Sequence, residues 1–186
     1  MQKYIFLTII SLLLAACGSS TPFHTILGAT VGYAGDKVTI ISDAQVGEFR
    51  VRRVSVIDSD CRTGYTEHLE LSGNIGPDST ALVARLLPKL SKCYSVKTGK
   101  SYVNTVYLNS NGGSLEDGFK MGDLFRQYGV LSHVSKGQTC SSACAVAFLG
   151  GRFRSVKSGG ELVFHAPYLK TWSGIDCSDT GQVSVL

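Results

Sequence analysis

From residue 68 to residue 167 the chain alternates between strand and helix patterns, and no other property narrows its fold as far. "HLELSGNI" (68–75) reads as a strand closing at a glycine. "PDSTALVARLLPKLSK" (77–92) reads as a helix with Leu82, Val83, Leu86 and Leu87 on one face and an N-cap at Asp78 or Ser79. Pro88 ends or kinks it. "VNTVYLNS" (103–110) alternates as a strand, "NGG" breaks it, and "SLEDGFKMGDLFRQYG" (114–129) returns to helix. There Ser114 with Asp117 makes a capping pair, Leu115, Phe119, Met121, Leu124 and Phe125 supply apolar contacts, and Gly129 stops the helix. "VLSHVS" (130–135) is a further strand, and Ala143 to Leu149 a short helix of small and apolar residues. "GELVFHAP" (160–167) is the last strand. Strand and helix in turn imply an α/β architecture of parallel strands joined by right-handed crossovers. Ligand sites in such folds gather at the carboxyl ends of strands and at helix starts.

Residues 25–60 are different. Val, Ile, Thr and Gly dominate, with alternation in "KVTIIS" and "FRVRRVSVID", so they read as a β-rich extension ahead of an α/β domain over 61–186. The N-terminus is an export signal: Lys3 precedes an uncharged run from Tyr4 to Ala16, shorter than the roughly 20 apolar residues a membrane span needs. The run ends in Leu14-Ala15-Ala16-Cys17, which resembles the bacterial lipoprotein cleavage box. The resemblance implies a signal peptide over 1–16, fatty acylation at Cys17 and a tether over 17–24. Gly18, where an inner-membrane retention signal carries Asp, implies the outer membrane with the protein facing the periplasm. Hydrophobic residues at 44% and charged residues at 17% exclude a disordered chain. The basic residues are scattered apart from Arg50, Arg52 and Arg53, which argues against a nucleic-acid partner.

Export makes the cysteines informative. With Cys17 committed to lipid, Cys61, Cys93, Cys140, Cys144 and Cys177 remain, and an odd number cannot all pair within the chain. Cys61 and Cys93 flank one strand-plus-helix segment, and a bridge closing it stabilises by roughly 3–4 kcal/mol through loop entropy. Cys140 and Cys144 share a helical face if the helix extends that far; they bridge each other, pair with Cys177, or serve as two small buried hydrophobes. No CxxC spacing supports a metal site.

Three features carry chemistry. Gly112-Gly113 break a strand where backbone can approach a ligand closely. "GQTCSSACAVAFLGG" (137–151) places Ser141 and Ser142 where a buried helix begins, amid unpaired N–H groups that favour developing negative charge. The simpler reading of such a serine is a helix N-cap. His165 stands at the end of the last strand, its simpler reading a satisfied core or surface histidine. Together they supply a nucleophile, a base and backbone donors for an oxyanion.

The segments "YLNSNGGSLEDGFKMGDLF", "VSKGQTCSSACAVAFLGGRFRSV" and "LVFHAPY" resemble, in order, the Clp-type serine proteases and their exported relatives in the Clp/crotonase superfamily. The resemblance covers residues 66–168, with Asn111 where the family has Pro. It implies stacked βαβ units and a lipid-anchored serine endopeptidase working through an acyl-enzyme at Ser142. His165 is then the general base, with Ala143, Gly112 and Gly113 as the oxyanion hole and no cofactor. Counting from Gly137 selects Ser141; counting back from Gly150-Gly151 selects Ser142, and the helix is the more rigid ruler. The exported relatives' Cys-x-Ser-Ala-Cys pattern also centres on Ser142. Partners so implied are a peptide or protein substrate, the membrane through the anchor, and copies of the chain in a homo-oligomer. The family's acidic third member lies on a segment beyond His165 that a chain ending at Leu186 lacks, so the domain reads as C-terminally short. Asp176 or Asp179 in a rewired triad, a Ser-His dyad, a Ser-Lys dyad through Lys136 or Lys157, and an inactive envelope lipoprotein that binds peptide are the alternatives. Acyl-CoA chemistry of the crotonase type fits badly with export.

Overall fold

The computed structural model describes residues 29–32, 37–165, 170–171, 174–175 and 183–185. Cys17, Asp176, Cys177 and Asp179 lie outside the described residues, as do the leader and tether. Strands β1 (Ala29–Gly32), β2 (Lys37–Val46), β3 (Phe49–Ile57) and β4 (Tyr65–Ser72) come first. Helix α1 (Ser79–Leu86), β5 (Thr105–Asn109), α2 (Leu115–Tyr128) and β6 (Leu131–Val134) follow. Next are β7 (Thr139–Ser141), α3 (Ala143–Leu149), β8 (Phe153–Val156) and β9 (Glu161–Phe164). The short strands β10 (Lys170–Thr171), β11 (Gly174–Ile175) and β12 (Val183–Val185) come last.

Seven strands form one sheet in the order β1-β2-β3-β4-β5-β6-β8. The first four pair antiparallel, and β4, β5, β6 and β8 pair parallel. The architecture is mixed α/β: antiparallel strands, then a parallel section with three helices. The strands between residues 29 and 57 belong to the same sheet as the α/β section. A second sheet, β12-β9-β7, branches from the end of β5. There the Ser110 amide donates to the Thr139 carbonyl at 2.8 Å, and the Ser141 amide donates back to the Ser110 carbonyl at 2.9 Å.

One apolar core lies between the large sheet and the helices. Leu69, Leu71, Val106 and Leu108 of β4 and β5 meet Leu82, Val83 and Leu86 of α1, Met121 and Phe125 of α2, and Ala143, Ala147 and Phe148 of α3. The first helix buries the face its spacing predicts and passes into a 3-10 turn, Leu87–Lys89, at Pro88. Asp78 stands at its N-cap position with φ 67° but makes no capping bond. Instead Ser79 Oγ accepts from the Gly76 amide at 3.0 Å.

The second helix starts and stops as its sequence specifies. Ser114 Oγ accepts from the Asp117 amide at 3.2 Å, and Gly129 closes the helix at φ 62°. Ser114→Ala should cost about 1 kcal/mol, the usual worth of such a cap, read as a lower urea midpoint with an unchanged slope.

Its buried face corrects the sequence reading. Leu115 and Phe119 point outward, 38% and 58% exposed, and Gly118 and Gly122 lie inside with Met121 and Phe125. The reason is close helix contact. A Cβ on Gly118 would sit 2.5 Å from the Ala143 carbonyl oxygen, and one on Gly150 would sit 2.1 Å from that of Gly122. Side chains at these glycines would push α2 and α3 apart.

The other face of the sheet carries a polar row in register: Asp43, Arg52, Glu70, Tyr107 and His133 on five successive strands. Arg52 pairs with Glu70 at 2.7 Å, and the Tyr107 ring stands edge-on to both His68 and His133. His133 is only 8% exposed. Burial, aided by the charge of Lys157, holds its imidazole below the ordinary histidine range. The folded chain therefore keeps His133 neutral where the unfolded chain takes up a proton. Its share of stability is complete above pH of about 6.5 and is lost as pH falls toward the depressed folded value. His133→Asn should flatten the acid side of a stability profile read by denaturation midpoints between neutral and mildly acidic pH.

Two disulfides brace the chain. Cys61–Cys93 (Cα–Cα 5.4 Å) links the turn before β4 to the segment after α1, and Cys140–Cys144 (5.2 Å) lies at the start of α3. Such bonds fit an oxidising, extracytoplasmic compartment. Among the described residues no helix is long and apolar enough to cross a membrane.

Candidate active site

The parallel strand β5 runs into Ser110, Asn111, Gly112 and Gly113 before α2 begins. Gly112 and Gly113 have φ of 96° and 139°, backbone that side chains rarely adopt. A Cβ on Gly113 would lie 2.0 Å from the Ile75 carbonyl oxygen. The pair docks on Ile75 like a strand: the Ile75 amide donates to Gly112 at 2.8 Å, and the Ser114 amide donates to Ile75 at 2.7 Å.

The serine turn stands against these glycines. Ser142 lies between β7 and α3 with φ 56° and ψ −122°. Only Ser142 and Asp78 have positive φ among the described non-glycine residues. Its amide donates to the Val163 carbonyl at 2.9 Å, and its carbonyl accepts from Val146 at 3.1 Å. The Ser142 hydroxyl makes no capping hydrogen bond, although the residue occupies the N-cap position of α3. A serine with a strained backbone on a sharp strand-to-helix turn, its hydroxyl withheld from capping, has the local shape of a nucleophile elbow. A Cβ on Gly112 would fall 2.6 Å from Ser142 Cβ and 2.9 Å from the Ala143 nitrogen. Only a glycine permits that approach. Ser142, Ala143 and Gly112 therefore meet at one point, with Gly113 next in the chain.

His165 is placed by strand pairing. Strand β7 pairs parallel to β9 with Ser141 opposite Val163, and His165 follows directly after β9. It stands two residues beyond Val163, whose carbonyl accepts from the Ser142 amide at 2.9 Å. It is half-buried. Of the alternative bases, Lys136 lies over Gly159, its Cγ 3.3 Å from where a Cβ would stand. Lys157 bears on His133.

Two features escape sequence reasoning. The Gly112 amide, one of the three amides the sequence assigns to an oxyanion hole, already donates to the buried Ser110 Oγ at 3.0 Å. A cavity of about 390 Å³ is lined by Arg52, His68, Glu70, Tyr107, Asn109 and Gln138. It touches the end of β5 but is lined by neither Ser142 nor His165. The alternation in "HLEL" put His68 and Glu70 on one face and was the available signal for it. Among the described residues no cluster of His, Cys, Asp or Glu is arranged to hold a metal ion. Comparison of the chain with protein-family models and with curated proteins gives no match.

Proposed function

We propose that this chain is a lipid-anchored serine endopeptidase of the Clp/crotonase type, facing the periplasm and acylated at Ser142. One observation carries the reading: the positive-φ turn that leaves the Ser142 hydroxyl uncapped and sets the Ser142 Cβ against the Gly112 backbone. In the proposed reaction His165 takes the hydroxyl proton as Ser142 Oγ attacks the peptide carbonyl. The developing oxyanion is received by the amides of Ala143 and Gly113, a donor of this kind being worth about 10²–10³ in turnover. His165 then protonates the leaving amine, and water reverses the sequence to free the acid. The two disulfides and the signal-like leader support export.

A second reading, a catalytically silent scaffold that binds peptide, is favoured by the Gly112 amide being already engaged by Ser110. A fluorophosphonate probe with intact-mass detection separates the two. The enzyme reading expects one probe adduct, mapping to Ser142. A folded chain that takes no adduct supports the scaffold.

A further inference from the structure

The five residues Cys140-Ser141-Ser142-Ala143-Cys144 are closed into a ring by the Cys140–Cys144 disulfide. The bond does not join two residues on one helical face. Cys140 belongs to β7 and Cys144 is the second residue of α3, so it spans the strand-to-helix turn with Ser142 at its centre. Both cysteines are fully buried, whereas Ser142 is partly exposed. The same turn holds the backbone that most needs holding, φ 56° and ψ −122° at a residue with a side chain. Only glycine backbone covers it on the Gly112 side, where a Cβ would collide with Ser142.

We infer that the Cys140–Cys144 bond is the positioning element of Ser142, and that it makes the site competent only in the oxidised chain. This rests on the hydrolase reading above, and it adds a redox condition to that site. The strand side is pinned by the Ser141 amide on Ser110 and the Ser142 amide on Val163. Once the sulfur bridge opens, the first turn of α3 can shift and let Ser142 relax to negative φ, which re-aims its hydroxyl. Closing the ring removes two electrons and two protons from the thiols, accepted by an external disulfide that becomes two thiols. A dithiol reverses it, giving the two cysteine thiols and its own cyclic disulfide.

The test uses the full exported chain, Cys140→Ala/Cys144→Ala, and Cys61→Ala/Cys93→Ala as the control that loses the other bridge. Three quantities are read: the fluorophosphonate labelling rate at Ser142, kcat and KM on an activated ester, and hydrogen exchange at the amides of residues 141–146. Misplacing a reacting atom by about 1 Å costs about 100-fold. The Cys140/Cys144 variant should therefore label about 100-fold more slowly, with the loss in kcat and KM within about threefold. Exchange at Val146, whose amide donates to the Ser142 carbonyl, should rise, while the Ser142 amide, held on Val163, stays protected. The Cys61/Cys93 control should melt earlier yet label within about threefold of the parent. A folded Cys140/Cys144 variant that labels like the parent overturns the inference and leaves the hydrolase reading intact. If that variant does not fold, the Cys61/Cys93 variant is treated with a dithiol until mass shows two new thiols. Retained labelling then overturns the inference, and lost labelling supports it. If no form labels, the hydrolase reading fails and exchange decides: unchanged protection at Val146 overturns the positioning role, and lost protection upholds it.

Discussion

Ser142→Ala is expected to abolish fluorophosphonate labelling and ester hydrolysis, while Ser141→Ala keeps both within a few-fold. The two serines are adjacent and both partly exposed, so accessibility does not separate them. Backbone does. Ser141 is the last residue of β7, its amide spent on the Ser110 carbonyl at 2.9 Å. Ser142 alone has the positive φ that lifts a side chain off a strand-to-helix turn, and the Ala143 amide follows it where an oxyanion would form. Removing the nucleophile of a serine protease costs about 10⁶ in turnover, so residual activity in Ser142→Ala should sit near background. Losing Ser141 removes only a hydroxyl beside the reaction, and its effect should stay within a few-fold. Labelling that survives in Ser142→Ala and disappears in Ser141→Ala would mean that the loop after Gly137, not the helix, sets the register.

The sequence carried the elements with strong local signals and missed those set by contacts. Alternation in "VNTVYLNS" and the cap residues Ser114 and Gly129 define β5 and α2 because strand pleating and helix ends are local physics. Strand β7, three residues long, is too short for periodicity to register, and β8, Phe-Arg-Ser-Val, shows no apolar alternation. They exist because Ser110 and Leu131 offer paired neighbours. Apolar spacing misled at Leu115 and Phe119, since α2 meets α3 through glycines, whose contribution is the absence of a side chain. Cys140 and Cys144, four apart, suggested one helical face. The chain instead changes from strand to helix between them, which is what brings their Cα atoms to 5.2 Å. The Ser110 bond to the Gly112 amide needed the strand end and the glycine turn in place together, and no spacing rule announces it.

Gly112→Ala should lower stability by about 3 kcal/mol or more and remove Ser142 labelling with it. Two costs combine there. At φ 96° any side chain is strained, and the new carbon would stand 2.6 Å from both the Ser141 carbonyl oxygen and Ser142 Cβ. None of those atoms is the far end of a flexible side chain, so relief requires the β5 end or the serine turn to move. Gly47→Ala isolates the first cost, for Gly47 has φ 55° and nothing within 4 Å of its added carbon; about 1 kcal/mol is expected. Gly150→Ala isolates the second. It carries no positive φ, with C-cap values of −68° and −23°, yet its carbon would lie 2.1 Å from the Gly122 carbonyl oxygen. It should lower the urea midpoint strongly while the protein that remains folded still labels at Ser142. Gly112→Ala should lose labelling even under conditions where circular dichroism shows it folded, because its methyl displaces the serine turn itself. If Gly112→Ala keeps its urea midpoint within the range of Gly47→Ala and labels at the parent rate, then the strand end and Ser142 do not meet as closely as the site requires.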